Sequence, residues 1–424
     1  MLKLPRPKKV ILDCGATLLY QRNPVSPTVA FGVWISRGSR DEKESERGYS
    51  HLLEHMVFRG TKSRSALEIA FDLESIGGQW DAFTSKESTC YHGKVLEEHF
   101  GFFAEILSDI VLSPSIPTDA LVLEKKVVQE EIRSVNDSPE ESTYELFFKS
   151  LFGDDQLGYP VAGRLKDIPS CDRRRLLAFH KKTYTPSNTI FAFIGNIPLG
   201  KVISTIEGNF VFKGKYSAAR PRKISKFSSK RIVSGRRPDW GQSHVCIGTR
   251  TGSASDPDRY PLVVLSNILG GGVSSRLFQN LREKNGLAYA VFSHANFWSD
   301  TGAFASYFSV DPKNLEKAMD IFMGCMEDLR TGGALDEELA SAKSQLKASV
   351  VFGVESVDSR LFRLIHAECY HRRHRTLDSI IRNIEKVGPD DVARVMETFM
   401  PEKRHTYVTC GKRSLRGLVK RGPQ

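Results

Sequence analysis

The sequence predicts an α+β chain of two homologous domains, each a largely antiparallel sheet with helices packed on one side. Three observations point there. First, 424 residues exceed what one hydrophobic core ordinarily supports, so two domains of about 200 residues are expected. Second, the chain repeats itself. Val29-Ala30-Phe31-Gly32 lies over Val245-Cys246-Ile247-Gly248 at an offset of 216, and Thr118-Asp119-Ala120-Leu121 lies over Leu335-Asp336-Glu337-Glu338 at an offset of 217. Third, strands alternate irregularly with helices, and several read as hairpin-linked, as around Gly302. That pattern fits an antiparallel sheet backed by helices better than a doubly wound fold.

The elements follow in order. Val29 to Ile35 is an apolar, β-branched run that predicts a buried strand, followed by a polar loop from Ser36 to Arg47. A helix starts near Gly48 to Ser50; its apolar face continues through Met56, Val57 and Phe58, and Gly60 is its stop. Glu124 to Ile132 is a second helix-forming run, with Val127, Val128 and Ile132 expected inward. Lys213 to Lys230 is polar, basic and without periodicity, which predicts an exposed linker. The domains are therefore expected at 1–212 and 231–424, with 213–230 between them.

The chemistry is concentrated in His51-Leu52-Leu53-Glu54-His55. Side chains four apart stack on one helix face, so both imidazoles can reach one cation, and Glu54 lies close enough to touch a water on it. The order is HxxEH, the inversion of HExxH, and it suggests a hydrolytic zinc site. Such a site normally takes three protein ligands and leaves the fourth position to water. Glu124 and Glu131, seven apart on one helix face, supply candidates for the third ligand and its support. On composition alone an ordinary solvated helix is the better account of the same run, and spacing alone does not separate Glu131 from Glu130.

The segment Gly48 to Thr61, with Glu131 76 positions beyond His55, resembles the pitrilysin family of zinc peptidases. The likeness is to its half-size type, such as mitochondrial processing peptidase subunits and bacterial homologues. The resemblance implies His51, His55 and Glu131 as ligands of one zinc ion per chain, Glu54 as general base and Glu124 behind the ligands. It extends to the loop Ser36 to Glu42, to Leu157 to Gly163, and to Phe191 to Asn196, the strand that closes the first half. Gly77-Gly78-Gln79-Trp80-Asp81-Ala82-Phe83-Thr84 is similar to the family's substrate-binding edge strand, with Asp81 standing where the family has asparagine. On that likeness Ala82, Phe83 and Thr84 are expected to hold an extended peptide by backbone pairing. Phe58 and Phe83 are candidates to line the space beside the metal, a core role being the alternative.

In the second half, Asn267, Gly271 and Ala348 fall where the first has His51, His55 and Glu131, so that half keeps the frame without a metal site. Arg282 to Tyr289 resembles the family's Arg-Glu-x-x-Gly-Leu-Ala-Tyr signature. The resemblance implies that Arg282 orients a substrate carbonyl and that Tyr289 donates to the oxyanion of a tetrahedral intermediate. A pairing of Arg282 with Glu283, and a core position for Tyr289, is the plainer alternative. The expected activity is an endopeptidase acting on peptides or unfolded segments. A silent scaffold or partner subunit is the alternative within the family, and half-size members work in pairs, so a homodimer or a heterodimer with a sister subunit is expected.

Composition adds boundaries. No window approaches 18 consecutive apolar residues, so no membrane span is expected. Residues 1–9 lack the apolar stretch of a secretion signal, and seven cysteines without a Cys-x-x-Cys spacing argue against a disulfide framework and a thiolate zinc site. A cytoplasmic location is expected. The net charge of +11 invites a nucleic-acid-binding role. However, the basic clusters at Lys213 to Lys230, His371 to Arg375 and Lys412 to Arg421 lack interleaved aromatic platforms. No nucleic acid is expected as partner. His92, His99, His180, His244 and His294 lack paired spacing and are expected as core or surface residues.

Overall fold

The computed structural model describes residues 5–212, 222 and 231–415. Apart from Arg222, the linker expected at 213–230 lies outside the described residues. In chain order the first half holds β1 (Lys8–Ile11), β2 (Thr17–Arg22), β3 (Thr28–Ile35), α1 (Tyr49–Val57), α2 (Ala66–Ser75), β4 (Gln79–Thr84), β5 (Thr89–Leu96), α3 (Phe100–Leu112), α4 (Thr118–Asp137), α5 (Pro139–Phe152), α6 (Arg173–Thr183), β6 (Thr189–Gly195) and α7 (Leu199–Asn209). The second holds β7 (Ile232–Arg236), β8 (Ser243–Thr251), α8 (Arg259–Gly270), β9 (Ala288–Phe297), β10 (Gly302–Val310), α9 (Leu315–Gly332), α10 (Asp336–Phe352), α11 (Val357–His371), α12 (Leu377–Glu385), α13 (Pro389–Phe399) and β11 (Thr406–Gly411).

The two sheets have one plan. The first runs β1-β2-β6-β3-β5-β4 and the second β7-β11-β8-β10-β9, so the internal repeat is a repeat of topology, with β1 added. Pairings are antiparallel except β2 with β6 and β7 with β11. The fold class is α+β with two such layers, as expected.

β3 shows how each sheet is covered. Val29, Phe31, Val33 and Ile35 face one way, into a core with Leu52 and Leu53 of α1, Phe103 and Ile106 of α3 and Val202 of α7. Ala30 and Trp34 face the other way, with Cys90, Ile190 and Ile194, against Leu361, Leu364 and Ile365 of α11. A strand buried on both faces loses polar/apolar alternation, which is why it reads as an unbroken apolar run. In the second sheet, Val245 and Ile247 meet α8, α9 and α13, while Cys246 meets Phe147 and Leu151 of α5.

The compact units are therefore not contiguous in sequence. One comprises 1–134, 160–221 and 353–374, and the other 135–159, 222–352 and 375–424. Each contains most of its own half and takes one helix from the other: α11 covers the second face of the first sheet, and α5 that of the second. Helices thus lie on both faces, a main group on one and a single exchanged helix on the other. No helix among the described residues is long and apolar enough to cross a membrane.

Candidate metal centre

α1 begins where local chemistry forces a turn. Gly48 adopts φ +83°, and a Cβ there would meet the Ala162 carbonyl oxygen at 2.7 Å, so glycine is required. The open N-terminal amides are taken by the buried Glu42, which accepts from Gly48 N at 2.9 Å and Ser50 N at 2.7 Å. Burial pushes the Glu42 carboxyl up to about 8, against those amide donors. Leu52, Leu53, Met56 and Val57 then anchor α1 in the core, which turns His51, Glu54 and His55 to one side.

α4 brings the third donor. Its buried stripe is Leu121, Glu124, Val128 and Ile132, while Val127, expected inward, is exposed. Glu131 continues the Glu124 face two turns on, and its Oε2 lies 3.8 Å from His51 Nε2 and 3.6 Å from His55 Nε2. Two tetrahedral ligand atoms on zinc stand about 3.4 Å apart. One ligand atom from each of His51, His55 and Glu131 falls within 4.8 Å of the others, and no other such group of His, Cys, Asp or Glu occurs among the described residues. Glu130 pairs instead with Arg133, away from the histidines.

The donor set suits a divalent cation. Burial, with His55 beside it, pushes the His51 imidazole down to about 4, the neutral form that a metal requires. His55 Nδ1 lies 3.0 Å from Glu124 Oε2. A carboxylate only accepts, so Nδ1 carries a proton, and Nε2 is the ring atom that a cation beside Glu131 would take. Arg59 pairs with the other oxygen of Glu124.

Glu54 is half-buried and its carboxyl is raised by burial; the Thr84 hydrogen bond and His55 oppose this, and Asp81 and Glu131 add to it. The Thr84 hydroxyl donates to Glu54 Oε2 at 2.6 Å. β4 is an edge strand, at the end of its sheet. Ala82 and Thr84 face α1, but Phe83 alternates to the other face, where its ring packs on Trp34, His92 and Phe362. Its side chain belongs to that core, so only its backbone is offered at the edge. Phe58 stacks on Trp80 at 5.3 Å.

In the other unit, Arg282 and Tyr289 come together. Arg282 lies on a π-helical stretch, Phe278–Glu283, and donates from Nη1 to the Tyr289 carbonyl at 3.0 Å. Its guanidinium lies 4.9 Å from the Tyr289 ring, which is 77% exposed and is no core residue. The five other histidines weighed as ligands in the sequence stand apart from this centre. His180 bonds the Val111 carbonyl, His244 the Tyr307 hydroxyl and His294 the Tyr144 hydroxyl; His92 stacks among aromatic rings, and His99 lies beside Glu98.

Sequence reasoning missed Glu42 and Arg59. Arg59, one turn past His55, carries a readable signal in its spacing; Glu42 was legible only as the last residue of the loop Ser36 to Glu42, with no sign that it caps α1.

Comparison with known proteins shows the family of the chain. Residues 17–164 match the family described as Insulinase (Peptidase family M16), and residues 170–346 match the Peptidase M16 inactive domain. The chain is 34% identical, over 91% of its length and 93% of the relative's, to a Bacillus subtilis protein named uncharacterized zinc protease YmxG. It is 33% identical, over 97% of its length and 95% of the relative's, to one from Mycobacterium tuberculosis named uncharacterized zinc protease Rv2782c. In fold it is similar to a solved protease from Helicobacter pylori, with a TM-score of 0.86 at 24% identity over 96% of this chain and 100% of that one. The peptidase M16 inactive domain from Pseudomonas fluorescens gives 0.88 at 20% identity, over 96% and 98%. The fold and the paired histidines define a member of the HxxEH metallopeptidase class. The chain belongs to peptidase family M16 and is of its half-size type.

Proposed function

We propose that this chain is a zinc-dependent endopeptidase that cleaves peptides or unfolded segments. The observation that carries the reading is the convergence of His51 and His55 with Glu131, beside Glu54 on the same helix. The zinc protease names of its relatives support it. His51, His55 and Glu131 would hold one zinc ion, which supplies Lewis acidity that acidifies water and polarises a carbonyl.

The chain's own groups do the rest. Glu54 takes a proton from the attacking water on its carboxylate and returns it to the leaving amine. Thr84 holds Glu54 Oε2, so the other oxygen is the one free to receive that proton. The β4 edge offers backbone groups at Ala82, Phe83 and Thr84 to an extended peptide, which makes recognition tolerant of sequence. Arg282 orients the substrate carbonyl and Tyr289 donates to the developing oxyanion, roles that follow from the family signature. We further propose a homodimer or a heterodimer with a sister subunit. None of the seven cysteines is joined in a disulfide, which supports a reducing, cytoplasmic setting.

The test compares metal content and cleavage of a quenched unfolded peptide in wild type, Glu54→Gln and Glu131→Gln. Glu54→Gln keeps zinc and loses turnover by about 100-fold or more, whereas Glu131→Gln loses metal affinity. Equal turnover in all three proteins, or a wild type that binds no zinc, removes the reading; a silent partner subunit is then the alternative.

A further inference from the structure

We propose that Arg59 is a positioning residue for the metal centre, acting through Glu124 on His55; the inference rests on the zinc reading above. Glu124 is an unusual place for a charge, because its side chain is only 3% exposed. A carboxylate taken that far from water is tolerated only when both oxygens are satisfied, ideally with an opposite charge on one of them. Both conditions are met here. Oε2 receives His55 Nδ1 at 3.0 Å, and Oε1 receives the Arg59 guanidinium.

The arrangement follows from where α1 stops. The helix ends at Val57, and Arg59 N still bonds to the Met56 carbonyl at 3.1 Å. Gly60, at φ +120°, then turns the chain away. Arg59 is thus held at the C-terminal end of the helix that carries both histidines, one turn beyond His55, and reaches across to α4. The pair is asymmetric: the arginine side chain is 47% exposed and the glutamate is enclosed.

A surface ion pair in which both partners are solvated contributes little, and Arg133 with Glu130 on the same α4 is of that kind. Arg59 is different because its partner has no water to fall back on. With Oε1 clamped, Oε2 stays on His55 Nδ1, which fixes the ring's tautomer and its angle. Without the clamp, Oε1 is left enclosed and unpaired, the carboxylate turns to share its one remaining donor, and the imidazole loses its fixed direction.

The test measures zinc dissociation constants by competition with a chromophoric chelator, together with the melting temperature of the metal-free protein. The variants are Arg59→Met, Arg59→Gln, Arg59→Lys, Glu124→Gln, the double variant Arg59→Met/Glu124→Gln, and Arg133→Met as the surface control. Arg59→Met and Arg59→Gln are expected to weaken zinc binding about tenfold, in a metal-free protein that still unfolds cooperatively but at a lower melting temperature, because Glu124 is left enclosed and unpaired. Arg59→Lys recovers most of the loss, and the double variant binds zinc no more weakly than Glu124→Gln alone, because the effect passes through that carboxylate. Wild-type affinity in both Arg59 truncations overturns the proposal. So does a full additional loss in the double variant, or the same loss from Arg133→Met. A wild type that binds no zinc overturns the peptidase reading with it, whereas a zinc-binding wild type matched by Arg59→Met overturns this inference alone.

Discussion

Thr84 holds the Glu54 carboxylate through a 2.6 Å hydrogen bond from its hydroxyl, and a bond to a carboxylate is worth about 1.5–3 kcal/mol. Its loss leaves the base free to rotate, so Thr84→Val is expected to lower kcat about tenfold or more while zinc content and KM stay near wild type, and Thr84→Ser is expected to restore most of the rate. Steady-state kinetics with metal analysis check this; a change in KM alone would mean that Thr84 serves the substrate and not the base. The two histidines and Glu54 were legible in the sequence because their relation is local, fixed by helical spacing. Thr84 was legible as a member of the edge strand but not as the partner of Glu54, since that contact joins residues 30 apart through a strand and a helix. For Phe83 the core position, one of the two readings open in the sequence, is the one its ring takes, since period-two alternation sends it to the opposite face from Ala82 and Thr84.

At the scale of elements, α11 is the piece that makes β3 a doubly buried strand. Leu361 is fully buried against the first sheet, in the cluster with Ala30 and Trp34. Leu361→Ala is expected to cost about 2–5 kcal/mol, read as a lower midpoint of chemical unfolding. A change under about 0.5 kcal/mol, the range of surface substitutions, would show that α11 does not hold that face. Strand existence and helix existence were readable from apolar runs and spacing. The destination of α11 was not, because an amphipathic helix announces that one face will be buried and carries no record of which sheet receives it.

For the whole molecule, the exchange of α5 and α11 means that the two halves are not independent folding units. A fragment of residues 1–212 leaves Ala30, Trp34, Cys90, Ile190 and Ile194 of its sheet uncovered. It is expected to bind a hydrophobic dye and to aggregate, and to recover cooperative unfolding when residues 353–374 are fused to it; a monomeric 1–212 fragment with a sharp transition would contradict this. Acid stability is a second property of the assembled fold. Burial pushes His244 and His405 down to about 4 each, Arg231 adding to the effect at His405. The unfolded chain takes up protons near 6.5 that the native protein refuses, so stability is present above that pH and falls as pH drops from about 6.5 toward 4. Each histidine removes on the order of 2 kcal/mol at pH 5. His405→Gln is expected to flatten the decline in melting temperature between pH 7 and pH 5, and an unchanged slope would rule His405 out as a source.

The sequence by itself determined what depends on near neighbours and on repetition: paired histidines with a glutamate between them on one helix, a two-fold internal repeat with a silent second copy, an α+β pattern and a family. The family resemblance named Glu131, spacing alone leaving Glu130 open; only the tertiary structure decided that Arg59 and Thr84 stand behind the reactive groups, and that each sheet is closed by a helix from the other half. The physical reason is the range of the interactions. Helical and strand periodicity act over a few residues and leave a readable pattern, whereas the direction of a carboxylate or the docking of a helix is set by packing among segments tens to hundreds of residues apart.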